Sequence, residues 1–295
     1  MTAAAARDPA ARDAAARPAR DGVRAPAQVP APEPLPAPAL DAHCHLDLIE
    51  QPEAEVLEAA QAAGITKVVT VGVDLPTSRW SAALAASTEG VFAAVAIHPN
   101  ATAAVAASPA QRDEVLNEIA KLAALPQVRA VGETGLDYYR DWAVPEVQRE
   151  WFRAHIDIAK QAGKALMIHD RDAHDDVLAI LAADGPPERV VFHCFSGDAA
   201  MAGRCAAAGY VMSFAGTLTF ANAPALREAA AAAPADLLLV ETDAPFLTPM
   251  PYRGRPNTPA MVAHTVRCLA GVKQTGVADM CALVTATGER MFGPW

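Results

Sequence analysis

From Leu40 onward the chain alternates short apolar runs with Ala-rich amphipathic stretches, the pattern of repeated βα units around a parallel sheet. Eight runs read as strands: Ala39 to His43, Lys67 to Gly72, Phe92 to Ile97, Val128 to Gly132, Ala165 to His169, Val190 to Cys194, Tyr210 to Ser213 and Leu237 to Glu241. The stretches between them carry helix signals. In Pro145 to Gln161 a proline opens the first turn, Val147, Trp151, Ala154 and Ile158 form an apolar stripe, and Gly163 terminates. Eight such units in about 255 residues match a (β/α)8 TIM barrel, an α/β fold. One barrel domain is therefore expected over residues 39–295. Residues 1–38 are built mostly of Ala, Arg, Asp and Pro and end in the run Pro30, Pro32, Pro34, Pro36, Pro38, which excludes helix and central strand. A disordered extension is expected there. Its arginines (Arg7, Arg12, Arg17, Arg20, Arg24) are interleaved with Asp8, Asp13 and Asp21, which argues for an unfolded tail over a transit peptide or a nucleic-acid arm.

The apolar runs end in a recurrent chemistry. Six side chains that ligate metals sit at their carboxyl ends: His43 and His45, Glu133, His169, His193 and Asp243. Barrel strands deliver functional residues from those ends, so ligands distant in sequence converge on one rim. His43 and His45 lie two apart, which on a strand sends both imidazoles from the same face and turns Cys44 away. By the same alternation Cys194 is read as a core thiol. Four histidines, a glutamate and an aspartate form an N/O donor set suited to zinc, magnesium or manganese, and the expected cofactors are two divalent metal cations. His155, His174 and His264 fall on helical stretches and are not assigned to the site.

Composition narrows the setting. A net charge of −10 excludes an extended basic face for coating nucleic acid, while leaving room for a local phosphate site. Five cysteines, an odd number without CxxC spacing, read as reduced thiols and place the chain in the cytoplasm. No apolar run reaches the roughly 18 residues a membrane span needs. Neither a membrane nor an obligate protein partner is expected.

Taken jointly, Asp41-Ala42-His43-Cys44-His45-Leu46-Asp47, Ile97-His98-Pro99, Gly132-Glu133-Thr134-Gly135-Leu136-Asp137, His169-x-Arg171-Asp172-Ala173, His193-Cys194-Phe195-Ser196-Gly197, Ser213-Phe214-Ala215-Gly216 and Glu241-Thr242-Asp243-Ala244-Pro245 closely resemble the TatD family of metal-dependent hydrolases. That family is usually described as deoxyribonucleases, within the amidohydrolase-like barrel superfamily. The resemblance spans Leu40 to Gly293 and departs from the family pattern at Ala165, where proline is common, and at Thr287, where asparagine is expected. It implies that His43, His45, Glu133 and Asp243 hold one cation and that Glu133, His169 and His193 hold the other.

The expected reaction is hydrolysis of DNA phosphodiester bonds by a metal-activated water, with DNA bound transiently and Asp243 accepting the water's proton. Arg171 is a candidate phosphate ligand, with an ion pair to Asp172 or Asp175 as the competing role. His98 faces substrate or serves the structure alone. Tyr138, Tyr139 and Trp142 either stack on a base or simply pack. Two rival functions remain open: hydrolysis of another ester or amide, such as an aminoacyl ester on tRNA, and a non-catalytic barrel that binds metal or a partner.

Overall fold

The computed structural model describes residues 29–105 and 108–294. Eight strands, β1 (Ala39–Cys44), β2 (Ile65–Val71), β3 (Val91–Val95), β4 (Val128–Asp137), β5 (Ala165–Arg171), β6 (Val190–Phe192), β7 (Val211–Phe214) and β8 (Leu238–Val240), pair in sequence order, every ladder parallel. The barrel closes between β8 and β1 just beyond the strand end: Asp243 N–H donates to the His43 carbonyl at 2.9 Å, and His45 N–H donates to that of Ala244 at 2.7 Å. Buried on both faces, β3, β6 and β8 read as unbroken apolar runs, Val-Phe-Ala-Ala-Val in β3. Helices cover the outside, and some are capped by their own sequence. Asp74 and Thr77 form a reciprocal capping box at Leu75–Ser87, and Gly163 ends Pro145–Ala162 in the left-handed region. No helix among the described residues is long and apolar enough to cross a membrane.

Three local expectations change. The buried face of Pro145–Ala162 is carried by Gln148, Trp151, Phe152, His155, Ile156, Ile158 and Ala159, so the stripe is wider than, and rotated from, Val147-Trp151-Ala154-Ile158. Strand β4 does not stop at Gly132. It runs to Asp137, pairing Thr134 with Ile168 and Gly135 with His169 after a register shift, so that Glu133 sits inside the strand and not in a loop. Gly132 permits that shift: a Cβ there would stand 2.5 Å from the Met167 Cβ. Finally, the last part of the proline run packs on the barrel, although composition placed it in the extension. Leu35 is buried and its N–H donates to the Ala63 carbonyl at 2.9 Å, while Arg267 holds the Pro34 carbonyl and Thr285 that of Pro38. The rest of the extension, residues 1–28, lies outside the described residues.

Because Leu35 fills a core position, Leu35→Ala is expected to lower stability by about 2–3 kcal/mol. Urea denaturation checks this, and an unchanged midpoint would show that the segment is only draped on the surface. Of the two departures from the family pattern, Ala165 is buried at the start of β5, and the Thr287 hydroxyl donates to the Asp236 carbonyl ahead of β8.

Candidate metal centre

All six expected ligands converge at the carboxyl end of the barrel. Around one point His43 Nε2 and His45 Nε2 lie 3.2 Å apart. Glu133 Oε2 stands 3.5 and 3.7 Å from them, and Asp243 Oδ1 stands 3.7 and 3.5 Å from them. Bonds of about 2.0–2.1 Å to a tetrahedral cation require donors roughly 3.3–3.4 Å apart. These five distances lie within about 0.4 Å of that spacing. On its other side Glu133 turns Oε1 to His169 Nδ1 at 2.6 Å and to His193 Nε2 at 2.8 Å. One carboxylate thus faces two donor sets.

The far nitrogens show which rings can ligate. His45 Nδ1 donates to the Val71 carbonyl at 3.1 Å, His193 Nδ1 to Glu241 Oε1 at 3.0 Å and His169 Nε2 to Asp137 Oδ2 at 3.2 Å. Carbonyls and carboxylates only accept, so in the neutral ring the outer nitrogen carries the proton and the inner one keeps its lone pair. His98 is the reverse. Its Nδ1 accepts the Asn100 N–H at 3.1 Å, which leaves Nε2–H as a donor pointing at Glu133 Oε1, 3.4 Å away. Spacing alone would admit His98 to a cluster with Glu133 and His169, but its tautomer makes it a hydrogen-bond donor.

Electrostatics follow burial and neighbours. Burial, reinforced by His193, holds His43 well below the usual histidine range, whereas burial at Glu133 is overcome by His193, His98 and His169, which keep the carboxylate ionised. At His45 and His169 burial is again outweighed, by Asp243 at the first and by Asp137 and Glu133 at the second, and both rise to about 9. Cation binding there releases protons and weakens as pH falls.

Three carboxylates belong to this centre that spacing did not single out. Asp41 is fully buried and clasps the barrel seam: Oδ1 accepts the N–H groups of Thr242 at 2.9 Å and His43 at 3.2 Å, and Oδ2 accepts the Thr242 hydroxyl at 2.5 Å. Burial pushes its carboxyl up to about 8 against those donors. Glu241 and Asp137 support His193 and His169, as above. The signal was present, since Asp41, His43 and His45 share one parity and so do Glu241 with Asp243 and Glu133 with Asp137.

Arg171 is exposed, with its guanidinium 3.9 Å from the Tyr139 ring centre, and among the described residues it pairs with neither Asp172 nor Asp175. Asp175 is taken by Arg204 at 2.6 Å. Tyr138 packs through its hydroxyl, which donates to Asp176 and accepts from Arg149, while Tyr139 is 59% exposed, with the Arg171 and Arg140 guanidinium groups on its ring. Cys44 lies in the core as expected, against the Val69 carbonyl. Cys194 does not. Strand β6 ends at Phe192, Cys194 takes φ +42° and is only half-buried, and burial pushes its thiol up.

His155 stays outside the site and serves the scaffold. Its Nε2 accepts the Ile97 N–H at 3.2 Å, its Nδ1 donates to the Trp151 carbonyl at 2.8 Å, and burial lowers it to about 4. The unfolded chain binds a proton that the folded chain refuses, so this contribution to stability is complete above pH 6.5 and is lost as pH falls toward 4. By pH 5 the loss amounts to about 2 kcal/mol. In urea titrations the stability gap between wild type and His155→Gln is expected to shrink by that amount from pH 7.5 to 5, and a pH-independent gap would refute it.

Residues 40–293 match the sequence profile described as TatD related DNase. The chain is 46% identical over 265 residues to an uncharacterized metal-dependent hydrolase of Mycobacterium tuberculosis named TatD, covering 86% of this chain and 97% of that one. It is 36% identical over 257 residues to the uncharacterized metal-dependent hydrolase YabD of Bacillus subtilis, covering 85% and 98%. Among solved structures it is similar to YJJV, a TatD homologue of Escherichia coli, with a TM-score of 0.81 at 27% identity, covering 87% and 98%. Since that match runs from the first strand through the last helix and takes in every donor of the centre, the chain belongs to the TatD family of metal-dependent hydrolases.

Proposed function

We propose that this hydrolase cleaves phosphodiester bonds of DNA with two divalent cations. One observation carries the reading: Glu133 presents Oε2 to His43 and His45 and Oε1 to His169 and His193, so a single carboxylate is shared by two donor sets. His43, His45, Glu133 and Asp243 would hold one cation, and Glu133, His169 and His193 the other. When bound, such a pair supplies a water acidified toward neutrality and a polarised phosphoryl oxygen.

The chain's own groups divide the remaining work. Asp243 is the more open of the two inner carboxylates, its side chain 15% exposed against 5% for Glu133, and it accepts the proton of the attacking water. His98 Nε2–H, beside Glu133 at the same centre, donates to an oxygen of substrate or leaving group. Arg171, two residues beyond His169 and without a carboxylate partner among the described residues, holds a phosphate oxygen with its planar fork. The description of the matching family as DNase supports DNA as the polymer.

The decisive experiment assays chelator-stripped and metal-refilled protein on a panel of DNA oligonucleotides, bis(4-nitrophenyl) phosphate, carboxylic esters and an aminoacyl-tRNA. Metal-dependent turnover of phosphodiesters is expected, and turnover confined to carboxylic esters would overturn the reading. Arg171→Lys keeps the charge and loses the fork. It is expected to retain the wild-type metal content while kcat/KM on oligonucleotides falls about tenfold, roughly 1.4 kcal/mol. Matched losses of stability and activity would assign Arg171 to the scaffold instead.

A further inference from the structure

The two donor sets are supported differently behind their imidazoles. In the first set the outer contacts are neutral: His45 Nδ1 meets the Val71 carbonyl at 3.1 Å, and His43 Nδ1 meets the Met167 thioether Sδ at 3.1 Å. In the second set both are carboxylates, Asp137 behind His169 at 3.2 Å and Glu241 behind His193 at 3.0 Å. The difference is one of charge. Glu241 is fully buried, its Oε1 accepting both His193 Nδ1–H and the Cys194 N–H at 2.8 Å. Among the described residues it has no lysine or arginine partner, only His193. A buried carboxylate without a countercharge is expensive, and here the compensating charge lies across the imidazole, where a cation would sit. Asp137 is likewise buried and faces His169 as its ion-pair partner, with the remaining lone pairs taken by Asn100 and by the N–H groups of Tyr139 and Arg140.

We propose that Glu241 and Asp137 are positioning residues that set the cation affinity of the His169–His193–Glu133 set alone, the His43–His45 set being independent of them. This rests on the two-cation reading. A carboxylate behind an imidazole fixes its tautomer, locks the ring plane and strengthens the inner nitrogen as a donor, and its loss typically weakens a site by about 10–100-fold. A carbonyl or thioether fixes the ring without adding charge. The sets are thus tuned separately although they share Glu133.

The test is a Zn2+ titration of chelator-stripped full-length protein by calorimetry, with thermal melting to verify folding. Glu241→Gln keeps size and an oxygen for both donors while removing the charge. Two binding events are expected in the wild type, and in Glu241→Gln one of them weakens about 10–100-fold while the other holds its affinity. Asp137→Asn should move the same event, and decides the matter if Glu241→Gln does not fold. Met167→Leu, behind His43, should leave that event in place. A single Zn2+ per wild-type chain would overturn the two-cation reading itself. Two Zn2+ in the wild type with both events unchanged, or both weakened alike, in the folded Glu241→Gln or Asp137→Asn variant would overturn only the separate tuning, as would a shift of that event by Met167→Leu.

Discussion

Glu133→Gln is expected to weaken both cation sets and to lower turnover by on the order of a thousandfold, about 4 kcal/mol of transition-state stabilisation. The reason lies in the use of both oxygens. Oε2 faces His43 and His45 while Oε1 faces His169 and His193, and an amide offers one acceptor oxygen where the carboxylate offered two. Its NH2 group would moreover point donors at lone pairs reserved for a cation. Single histidine variants should behave differently: His43→Ala or His45→Ala mainly empties the first set, and His169→Ala or His193→Ala the second. Metal analysis of the purified proteins, paired with turnover on a phosphodiester, separates these patterns. Two tightly held cations and near-normal turnover in Glu133→Gln would sink the shared-ligand assignment.

The largest effect on the fold is expected at Gly135, where the strand carrying Glu133 pairs with His169 of β5. Its φ is +142°, and a Cβ placed there would stand 2.0 Å from the His169 carbonyl oxygen and 3.0 Å from its carbon. Both atoms are backbone in a paired strand, so neither can swing aside. Gly135→Ala must break the β4–β5 ladder locally or shift His169, at a cost of about 3–5 kcal/mol. For a domain of this size that corresponds to a fall in Tm of roughly 10 °C or more. Gly163→Ala is the control, being also left-handed at φ +61° but with nothing within 4 Å of the added carbon. It should cost only about 1 kcal/mol. A Gly135→Ala protein melting within about 2 °C of wild type would show that the strand tolerates the methyl group.

Period and ligand type made the main architecture legible in one dimension. Runs such as Val-Phe-Ala-Ala-Val, apolar at every position, occur in sheets buried on both faces, and eight predominantly apolar runs separated by helical stretches leave few alternatives to a closed barrel. The parity of His43 and His45, and the placement of Glu133, His169, His193 and Asp243 near strand ends, foretold their convergence because a barrel gathers those ends on one rim. What failed to show were features depending on a neighbour distant in the chain. The extension of β4 to Asp137 arises from its ladder with β5 after a register shift. The packing of Leu35 depends on the Ala63 carbonyl, and the partial exposure of Cys194 on β6 ending at Phe192.

Thus the sequence by itself determined the barrel, the order of its strands and the identity of a six-residue N/O donor set, because these follow from local periodicity and from side-chain chemistry. Only the tertiary structure decided how each donor is presented. It set the two faces of Glu133, separated His98 from the other histidines of the centre by the Asn100 N–H on its Nδ1, laid Arg171 on Tyr139, and recruited Asp41, Asp137 and Glu241 behind the centre. Those outcomes depend on hydrogen bonds of about 3 Å between groups far apart in the chain, a geometry that spacing along the sequence does not encode.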